Sequence, residues 1–318
     1  MSKINTLKRL WESDKRGIMI ALYNHAIHSG ILNKMDDKSF LSLTYKVHFG
    51  HKINWENPST FNEKLQWLKI NNRNPQYIKL VDKYEVKNYV SEIIGDKYII
   101  PTLGVWDRVE DVPFEDLPDQ YVIKCTHDSG SVCICSDKKT FDMGGAKIKL
   151  SKGLKKNLFY WGREWPYKGV KPRIIAEEYL SDNRKEGQNT ISDLKDYKLM
   201  CFNGKVQCSF VCSRRFTGEG LRVTFYDRDW NIMPFERGYP KEVVPCMKPK
   251  SYDTMVQMAE KLSSDIPFVR VDFYEVAGKP YFGELTFFPG NGVERFKPEV
   301  WDYKLGQLID LKSVKTPE

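Results

Sequence analysis

Two carboxylates near the end of the chain have a spacing that suits a metal site. Asp272 and Glu284 stand twelve positions apart, in two β-branched and aromatic runs separated by Ala277 and Gly278. A hairpin turning there pairs the runs antiparallel and places the acids on neighbouring strands, where their side chains can converge on one face. Carboxylates so placed hold hard divalent cations such as Mg²⁺, and Arg270 adds a positive charge beside them. The alternative is an ion-pair cluster on the surface. Apolar neighbours favour the metal site, because burying an unpaired carboxylate is costly.

A second candidate feature is a lysine followed by a loop of small polar residues. Lys124 closes a β-branched run, and the loop 126–131 contains Ser129, Gly130 and Ser131. The lysine ammonium and the loop amides can together hold phosphate oxygens. The loop lacks the G-x-x-x-x-G-K-[ST] pattern and no helix follows it. It therefore indicates a phosphate site only in combination with the carboxylate pair.

Strands and helices alternate around these residues. Runs rich in β-branched and aromatic residues predict strands at 98–106, 121–125, 132–135 and 173–180, and hairpins at 196–214 and 268–287. Apolar spacing predicts helices at 76–94, 147–157 and 252–264. Because hairpin turns join neighbouring strands, the pattern is typical of an α+β fold and not of an all-parallel sheet. We expect helices over 1–75, a first α+β unit over 76–180 and a second over 181–318.

The composition excludes several classes of protein. The 318 residues carry 50 Lys+Arg against 42 Asp+Glu, a net charge of +8, and 41% are hydrophobic. This apolar content is too high for a disordered chain, and no run approaches the roughly 18 uncharged apolar residues of a membrane span. None of the seven cysteines forms a C-x-x-C pair, so we expect reduced thiols in a cytoplasmic protein. The modest, dispersed positive charge suits an acidic substrate or a membrane surface better than nucleic acid.

Two further segments are notable for their polarity. The amphipathic segment 4–32 groups four basic residues early, Lys8, Arg9, Lys15 and Arg16. We interpret it as a helical cap on the main domain; the alternative is an interfacial helix that gives peripheral membrane association beside lipid-linked substrates. The polar loop 181–194 has the composition of a mobile flap. Nothing in the sequence specifies an oligomeric state.

Six motifs between residues 79 and 306 resemble one family as a set. They are Asp82-Lys83, 122–124 with its loop, 174–180, 196–198, 270–272 and 283–290. In these motifs the chain is similar to the ATP-grasp enzymes, and within them to the TupA-like group of bacterial surface-polysaccharide gene sets. The last two motifs resemble the R-x-D and E-x-N-x-x-P-G patterns of D-alanine–D-alanine ligase. The resemblance implies an ATP-grasp fold, with two α+β subdomains clasping a nucleotide and a helical N-terminal extension.

The resemblance also implies roles for the matching residues, with ATP and magnesium as cofactors. For the nucleotide, Lys83 and Lys124 would contact the phosphates together with the small-residue loop. Glu177 would take the adenine amino group, the backbone from Glu178 to Leu180 would form the hinge against the base, and Asp196 would lie near the ribose.

For the reaction, the implied residues belong to the hairpin. Asp272, Glu284 and Thr286 would hold magnesium, and Arg270 would stabilise the transferring phosphoryl group. Four further cations are candidates for the γ-phosphate or an anionic substrate: Lys198, Arg214, Arg215 and Arg222. The family's metal-binding asparagine is Thr286 here, which weakens the case for a second metal, and Asn291 is a candidate compensating ligand.

The implied activity is carboxylate activation. ATP phosphorylates a carboxylate, an amine attacks the acylphosphate, and an amide forms with ADP and phosphate. Magnesium, Lys124 and Arg270 would neutralise the transferring group. The expected substrates are a uronic acid or other acidic sugar of a bacterial surface polysaccharide and an amino acid or small amine.

Two alternatives compete with this ligase. Asp227-Arg228-Asp229 is a D-x-D, the pattern by which many glycosyltransferases hold a metal and a nucleotide sugar, although it also reads as a polar turn between strands. The second alternative is a degenerate nucleotide fold that binds a polyanionic glycan without catalysis. It is favoured by Thr286 and by the single glycine of the loop, Gly130, and disfavoured by the retained lysines and carboxylates.

Overall fold

The structure, a computed structural model, describes residues 15–181, 194–214, 220–312 and 314. Its helices are α1 (Lys15–His28), α2 (Asp37–Phe49), α3 (Phe61–Asn71), α4 (Gln76–Val81), α5 (Val86–Ile94), α6 (Met143–Leu154), α7 (Phe159–Gly162), α8 (Tyr252–Leu262) and α9 (Val300–Gly306). Its strands are β1 (Thr102–Trp106), β2 (Tyr121–Cys125), β3 (Cys133–Cys135), β4 (Ile174–Glu178), β5 (Asp196–Phe202), β6 (Lys205–Ser213), β7 (Arg222–Asp227), β8 (Glu236–Arg237), β9 (Phe268–Val276), β10 (Lys279–Thr286) and β11 (Phe296–Lys297). Outside the described residues lie Lys8, Arg9, Arg215 and all but the ends of the predicted flap.

The strands form two larger sheets, both antiparallel. The first has the order β1-β4-β2-β3, and the second has the order β10-β9-β5-β6-β7. A two-stranded ribbon pairs β8 with β11. The mixture of helices and antiparallel sheets confirms the predicted α+β class. No helix among the described residues has the length and apolarity to cross a bilayer.

Tight turns set the register of the two predicted hairpins. Asn203 and Gly204 join β5 to β6 with φ of 46° and 76°, and Ala277 and Gly278 join β9 to β10 with φ of 51° and 81°. Two successive residues of positive φ are typical of the turn that matches the twist of a two-stranded ribbon. Both hairpins are therefore confirmed at the predicted turns.

The single helix predicted over 76–94 is wrong, because the chain leaves the helix at Asp82. The Asp82 carboxylate accepts hydrogen bonds from the backbone N–H groups of Tyr84, at 2.8 Å, and Glu85, at 3.2 Å. An aspartate that bonds nearby backbone amides in this way competes with the helical ladder. The break separates α4 from α5 and places Lys83 between them, where its N–H donates to the Thr126 carbonyl at 3.0 Å.

The largest apolar core joins the second sheet to helices from both ends of the chain. It packs α8 and α3 against the sheet, with the Phe61 ring edge-on to Phe268 at a centroid distance of 4.9 Å. A separate cluster lies around Tyr121 and Ile123 of the first sheet, and another lies under α1 and α2. Helix α3 is therefore part of the core that supports the second sheet.

Helix α3 also presents a buried polar face, here called the polar seam, formed by Asn62, Gln66 and Lys69. All three are fully buried. The Asn62 amide donates to Asp302 at 2.9 Å, and the Gln66 amide donates to the carbonyl of Gly292 at 2.8 Å. These partners belong to the segment that follows β10. Since buried polar groups are costly without partners, the seam fixes where that segment lies.

Candidate active site

The predicted carboxylate pair lies on β10, an edge strand of the second sheet, and on its neighbour β9. Register places Glu284 on β10 directly opposite Asp272 on β9, so both side chains share one face. The Arg270 guanidinium donates to Asp272 Oδ2 at 2.6 Å and to Glu284 Oε1 at 2.9 Å, and the Thr286 hydroxyl donates to Glu284 at 3.2 Å. Asp272 is 2% exposed, whereas the Glu284 side chain is 39% exposed. The Glu284 carboxylate therefore reaches solvent, while the Arg270 guanidinium that it contacts lies deeper in the protein.

The next strand adds a lysine and a third carboxylate. Lys198 on β5 stands opposite Asp272, and its ammonium bonds both Asp272 and, at 2.5 Å, Asp196 Oδ2. The other oxygen of Asp196 is buried and accepts no hydrogen bond from any residue that the structure describes. Asp196 is therefore joined to the carboxylate pair through Lys198 and keeps one acceptor oxygen unused.

Cations from both sheets converge on Glu284. Burial raises the pKa of this carboxyl, but the charges of Lys83, Arg270, Lys198 and Lys124 outweigh burial and hold the pKa at about 2. For Asp272 the balance is reversed, because burial raises its pKa despite the adjacent Arg270 and Lys198. Lys83, which follows α4, and Lys124 of β2 therefore lie within electrostatic reach of the hairpin.

The small-residue loop after β2 is built on its own hydrogen bonds. The Lys83 ammonium donates to the Asp128 carbonyl at 2.7 Å. The buried Ser131 hydroxyl donates to the Asp128 carboxylate at 2.5 Å and accepts from the Cys125 N–H at 2.8 Å. Ser129 and Gly130 are exposed at the tip, where Gly130 has φ of 98°. Ser131 therefore shapes the loop, and the tip residues are the ones open to a ligand.

Glu177 on β4 is buried and paired with lysines. It is 4% exposed on β4, and its carboxylate bonds the ammonium groups of Lys124 and, at 2.5 Å, Lys87. Burial raises the pKa of Glu177, but the two lysines outweigh burial and hold it below its usual range. The following Glu178 is exposed and Leu180 is half-buried.

Lys87 contacts the same carboxylate, although no sequence motif indicated it. Its ammonium also donates to the Ile100 carbonyl at 2.8 Å and to the Thr102 hydroxyl at 2.7 Å. Helical spacing does not link Lys87 to Lys83 four residues earlier, because Lys83 lies in the break between α4 and α5. Its position beside Glu177 depends on contacts between α5 and the first sheet.

Several other predicted residues have different partners. The Asn291 side-chain oxygen accepts from Lys69 at 2.5 Å, and Arg214 pairs with Glu242 at 2.7 Å. Arg222 begins β7, opposite Ser213. Within residues 15–181, 194–214, 220–312 and 314, no three His, Cys, Asp or Glu side chains are grouped as metal ligands. A metal at the hairpin would therefore depend on two carboxylates and the Thr286 hydroxyl.

The D-x-D motif forms a turn. The Asp227 carboxylate accepts from the backbone N–H groups of Asp229, at 3.0 Å, and Asn231, at 2.8 Å, while Arg228 pairs with Glu260 at 2.6 Å. Asp227 thus uses its oxygens to close the turn after β7, which is the edge strand opposite β10.

Comparison with protein families identifies the chain. The model of the TupA-like ATPgrasp family matches residues 63–310, well over half of the sequence. The chain belongs to the TupA-like ATP-grasp family. As a TupA-like ATP-grasp protein it has the fold that its motifs predicted, and it is an enzyme of the ligase class. No curated protein matches the sequence.

Solved structures show only distant likeness to this TupA-like protein. The D-alanine–D-alanine ligase of Helicobacter pylori is 12% identical over 79% of this chain and 70% of that chain, at a TM-score of 0.42. The Bacillus anthracis enzyme complexed with ATP is 17% identical over 67% of this chain and 56% of that chain, at 0.37. The ATP-grasp ligase PsnB, complexed with a minimal precursor, Mg and ADP, is 13% identical over 72% and 59%, at 0.38. The family assignment therefore rests on the family match.

Proposed function

We propose that this protein is an ATP- and Mg²⁺-dependent carboxylate–amine ligase that acts through an acylphosphate. The γ-phosphoryl group passes from ATP to a carboxylate, and an amine then displaces phosphate from the acyl carbon to give an amide. The observation that supports this reaction best is the convergence of Lys83, Lys124, Lys198 and Arg270 on the Glu284 carboxylate. Phosphoryl transfer needs this concentration of positive charge more than it needs a covalent nucleophile.

The hairpin residues fit a magnesium ion. Asp272, Glu284 and Thr286 supply hard oxygen donors, which Mg²⁺ prefers, and the exposed Glu284 gives access to them. Magnesium bound there would neutralise charge on the phosphate oxygens. Arg270 would move part of its contact from the two carboxylates to the transferring phosphoryl group.

The lysines and β4 are proposed to hold the nucleotide. Lys83 and Lys124 bind phosphate oxygens beside the exposed loop tip, and Glu177 orients Lys124 while its remaining acceptor capacity takes the adenine amino group. The backbone from Glu178 to Leu180 lies against the base, and Asp196 lies toward the ribose. In this arrangement residues 76–180 and 181–318 are the two halves of the clasp.

For the acceptor we propose an acidic sugar of a bacterial surface polysaccharide, joined to an amino acid or small amine in the cytoplasm. Besides the family assignment, the charge of the chain supports this choice. The net charge is +8, and five lysines lie between residues 147 and 156, in α6 or directly after it. A basic surface raises the local concentration of an acidic glycan.

ADP release tests the proposal. The purified protein is incubated with ATP, Mg²⁺ and single uronic acids, with hydroxylamine present to trap any acylphosphate as a hydroxamate. We expect acid-dependent ADP and hydroxamate, lost in Glu284→Gln and kept in the exposed control Glu92→Gln. Full turnover in Glu284→Gln would contradict the metal assignment. ADP release with no acid present and no hydroxamate with any acid would contradict the ligase, and release of UDP from UDP-sugars would favour glycosyl transfer.

A further inference from the structure

A short 3₁₀ turn between α7 and β4, together with the residue before it, carries two polar side chains. The turn spans Trp165–Gly169 and is preceded by Glu164, whose carbonyl accepts from the Tyr167 N–H at 3.2 Å. This backbone bond ties the residue before the turn to the third residue of the turn. The Glu164 carboxylate contributes to the raised pKa of Tyr167, so the two side chains lie near each other.

Neither group has a partner of its own. Both side chains are half-buried, and within the described part of the chain the Glu164 carboxylate forms no ion pair or hydrogen bond and the Tyr167 hydroxyl has no bonded neighbour. Their oxygens are not among the fully buried atoms that lack a partner, so they keep contact with solvent and are accessible to a ligand. Two such acceptors near each other can receive hydrogen bonds from the donors of a ligand.

Ring packing holds this turn close to the end of the β9–β10 hairpin. Tyr77 of α4 stacks between the ring of Trp165, at 6.1 Å, and the ring of Phe287, at 4.1 Å. Trp165 follows Glu164 directly, and Phe287 follows the end of β10. Lys69 of the polar seam makes a second link, since its ammonium donates to the carbonyls of Gly162 and Asn291, each at 2.9 Å.

The electrostatics agree with that placement. Burial raises the pKa of Glu164 to about 7 against the charges of Lys69 and Arg270, and Glu284 adds to the rise. Burial and the carboxylates of Glu164 and Glu284 raise the pKa of Tyr167 well above its usual value. Both groups therefore lie within reach of the hairpin charges.

We propose that Glu164 and Tyr167 form the subsite that binds the ammonium group of the amine substrate. The assignment rests on the proposed ligase function and names the class of its second substrate, a primary amine. A carboxylate beside a phenolic oxygen offers acceptors to the N–H groups of an ammonium ion and repels the phosphate and carboxylate groups of the other substrates.

The competing interpretation is that Glu164 only balances the charge of Lys69. The geometry disfavours it, because the Lys69 ammonium gives its hydrogen bonds to the neutral oxygens of Gly162 and Asn291 and forms no ion pair with Glu164 among the described residues. A counter-charge role also predicts a different experimental result, since it affects folding and leaves amine binding unchanged.

The test separates amine binding from carboxylate activation. Wild type, Glu164→Gln, Tyr167→Phe and the control Glu92→Gln are assayed with ATP, Mg²⁺ and an accepted uronic acid. Hydroxylamine, which is uncharged at neutral pH, is one nucleophile, and amino acids and ethanolamine are the ammonium nucleophiles. Melting temperatures are measured with the same amines and with their N-acetyl derivatives, so that binding is read without turnover.

We expect Glu164→Gln to raise the KM for the primary amine at least about tenfold, because a hydrogen bond to a charged group is lost. Tyr167→Phe should raise the same KM about two- to tenfold, because a neutral hydrogen bond is lost. Hydroxamate formation and the KM for ATP should not change. An unchanged amine KM, an equal fall in hydroxamate formation, or equal stabilisation by free and N-acetylated amines would each overturn the subsite. Absence of hydroxamate in wild type would instead refute the ligase. If Glu164→Gln does not fold, Tyr167→Phe decides.

Discussion

Replacing Glu177 with glutamine removes the negative charge that lies between the ammonium groups of Lys87 and Lys124. Its carboxylate, 5% exposed, bonds Lys124 and Lys87, which are 16% and 13% exposed. The variant Glu177→Gln leaves two ammonium groups close together in a site of low dielectric, with only a neutral amide between them. We expect a large loss of stability, because breaking a buried ion pair from one side leaves the other charge uncompensated.

The magnitude follows from the burial. Removing one partner of a fully buried pair costs about 3–5 kcal/mol, and both lysines keep some contact with solvent, so the lower end, about 3 kcal/mol, applies. For a chain of this length the melting temperature falls by about 2 °C for each kcal/mol, which gives a decrease of about 6 °C. Glu178→Gln is the matched control, since that neighbouring side chain is exposed.

Thermal unfolding followed by circular dichroism measures the effect, and pH gives an independent check. The pKa of Glu177 in the folded protein lies below its usual value, so its stabilisation is complete above the unfolded pKa of about 4.3 and is lost as the pH falls through the folded value. The difference between wild type and Glu177→Gln should therefore shrink below about pH 4.5. A decrease under 1 °C at pH 7, or one no larger than that of Glu178→Gln, would refute the reasoning.

Three more outcomes are expected. Thr286→Val removes an oxygen donor beside Glu284, so ADP release should need several-fold more Mg²⁺ for half-maximal rate; an unchanged Mg²⁺ titration would exclude Thr286 from the site. Gly306→Ala places a Cβ 2.4 Å from a backbone oxygen just before α3 and should lower the free energy of unfolding by about 1–3 kcal/mol. Gly144→Ala, whose Cβ would have its nearest neighbour at 3.6 Å, is the control and should not lower it. Equal melting temperatures of the two variants would contradict the packing. Burial raises the pKa of Cys201 and Cys208 to about 12, so a thiol reagent should reach them only after unfolding, and rapid labelling of the native protein at either position would argue against that burial.

What the sequence predicted well is local. The hairpin of β9 and β10 follows from strand propensity and a two-residue turn, but that turn alone would pair Asp272 with Gly283. A register shift between Phe282 and Glu284 brings Asp272 opposite Glu284 instead. Because side chains of a strand alternate with a period of two, the face shared by the acids depends on this one-residue shift, which strand propensity does not predict. The predicted convergence of the hairpin with Lys83 and Lys124 came from the family resemblance.

What it missed depends on competition between local bonds and on contacts distant in sequence. Asp82 can either continue a helix or bond the backbone amides of the turn that follows, and Arg173, which binds it at 3.0 Å, lies 91 residues away. The contact of Lys87 with Glu177 depends on that break. The sequence suggests Asn291 as an additional metal ligand. In the structure its side-chain oxygen instead accepts a hydrogen bond from Lys69, 222 residues earlier in the chain. No spacing rule connects such pairs.

The polar seam has a consequence for how the chain is made. Asn62 bonds Asp302, 240 positions later, so a ribosome adding about 5–20 residues per second needs roughly 12–48 s to supply the partner. For most of that interval α3 has emerged while the side-chain amides of Asn62 and Gln66 lack their native partners and Phe61 lacks Phe268. Helix α3 therefore cannot complete its packing as it emerges. Its apolar and polar faces stay open to solvent until the second sheet and the segment after β10 have been made.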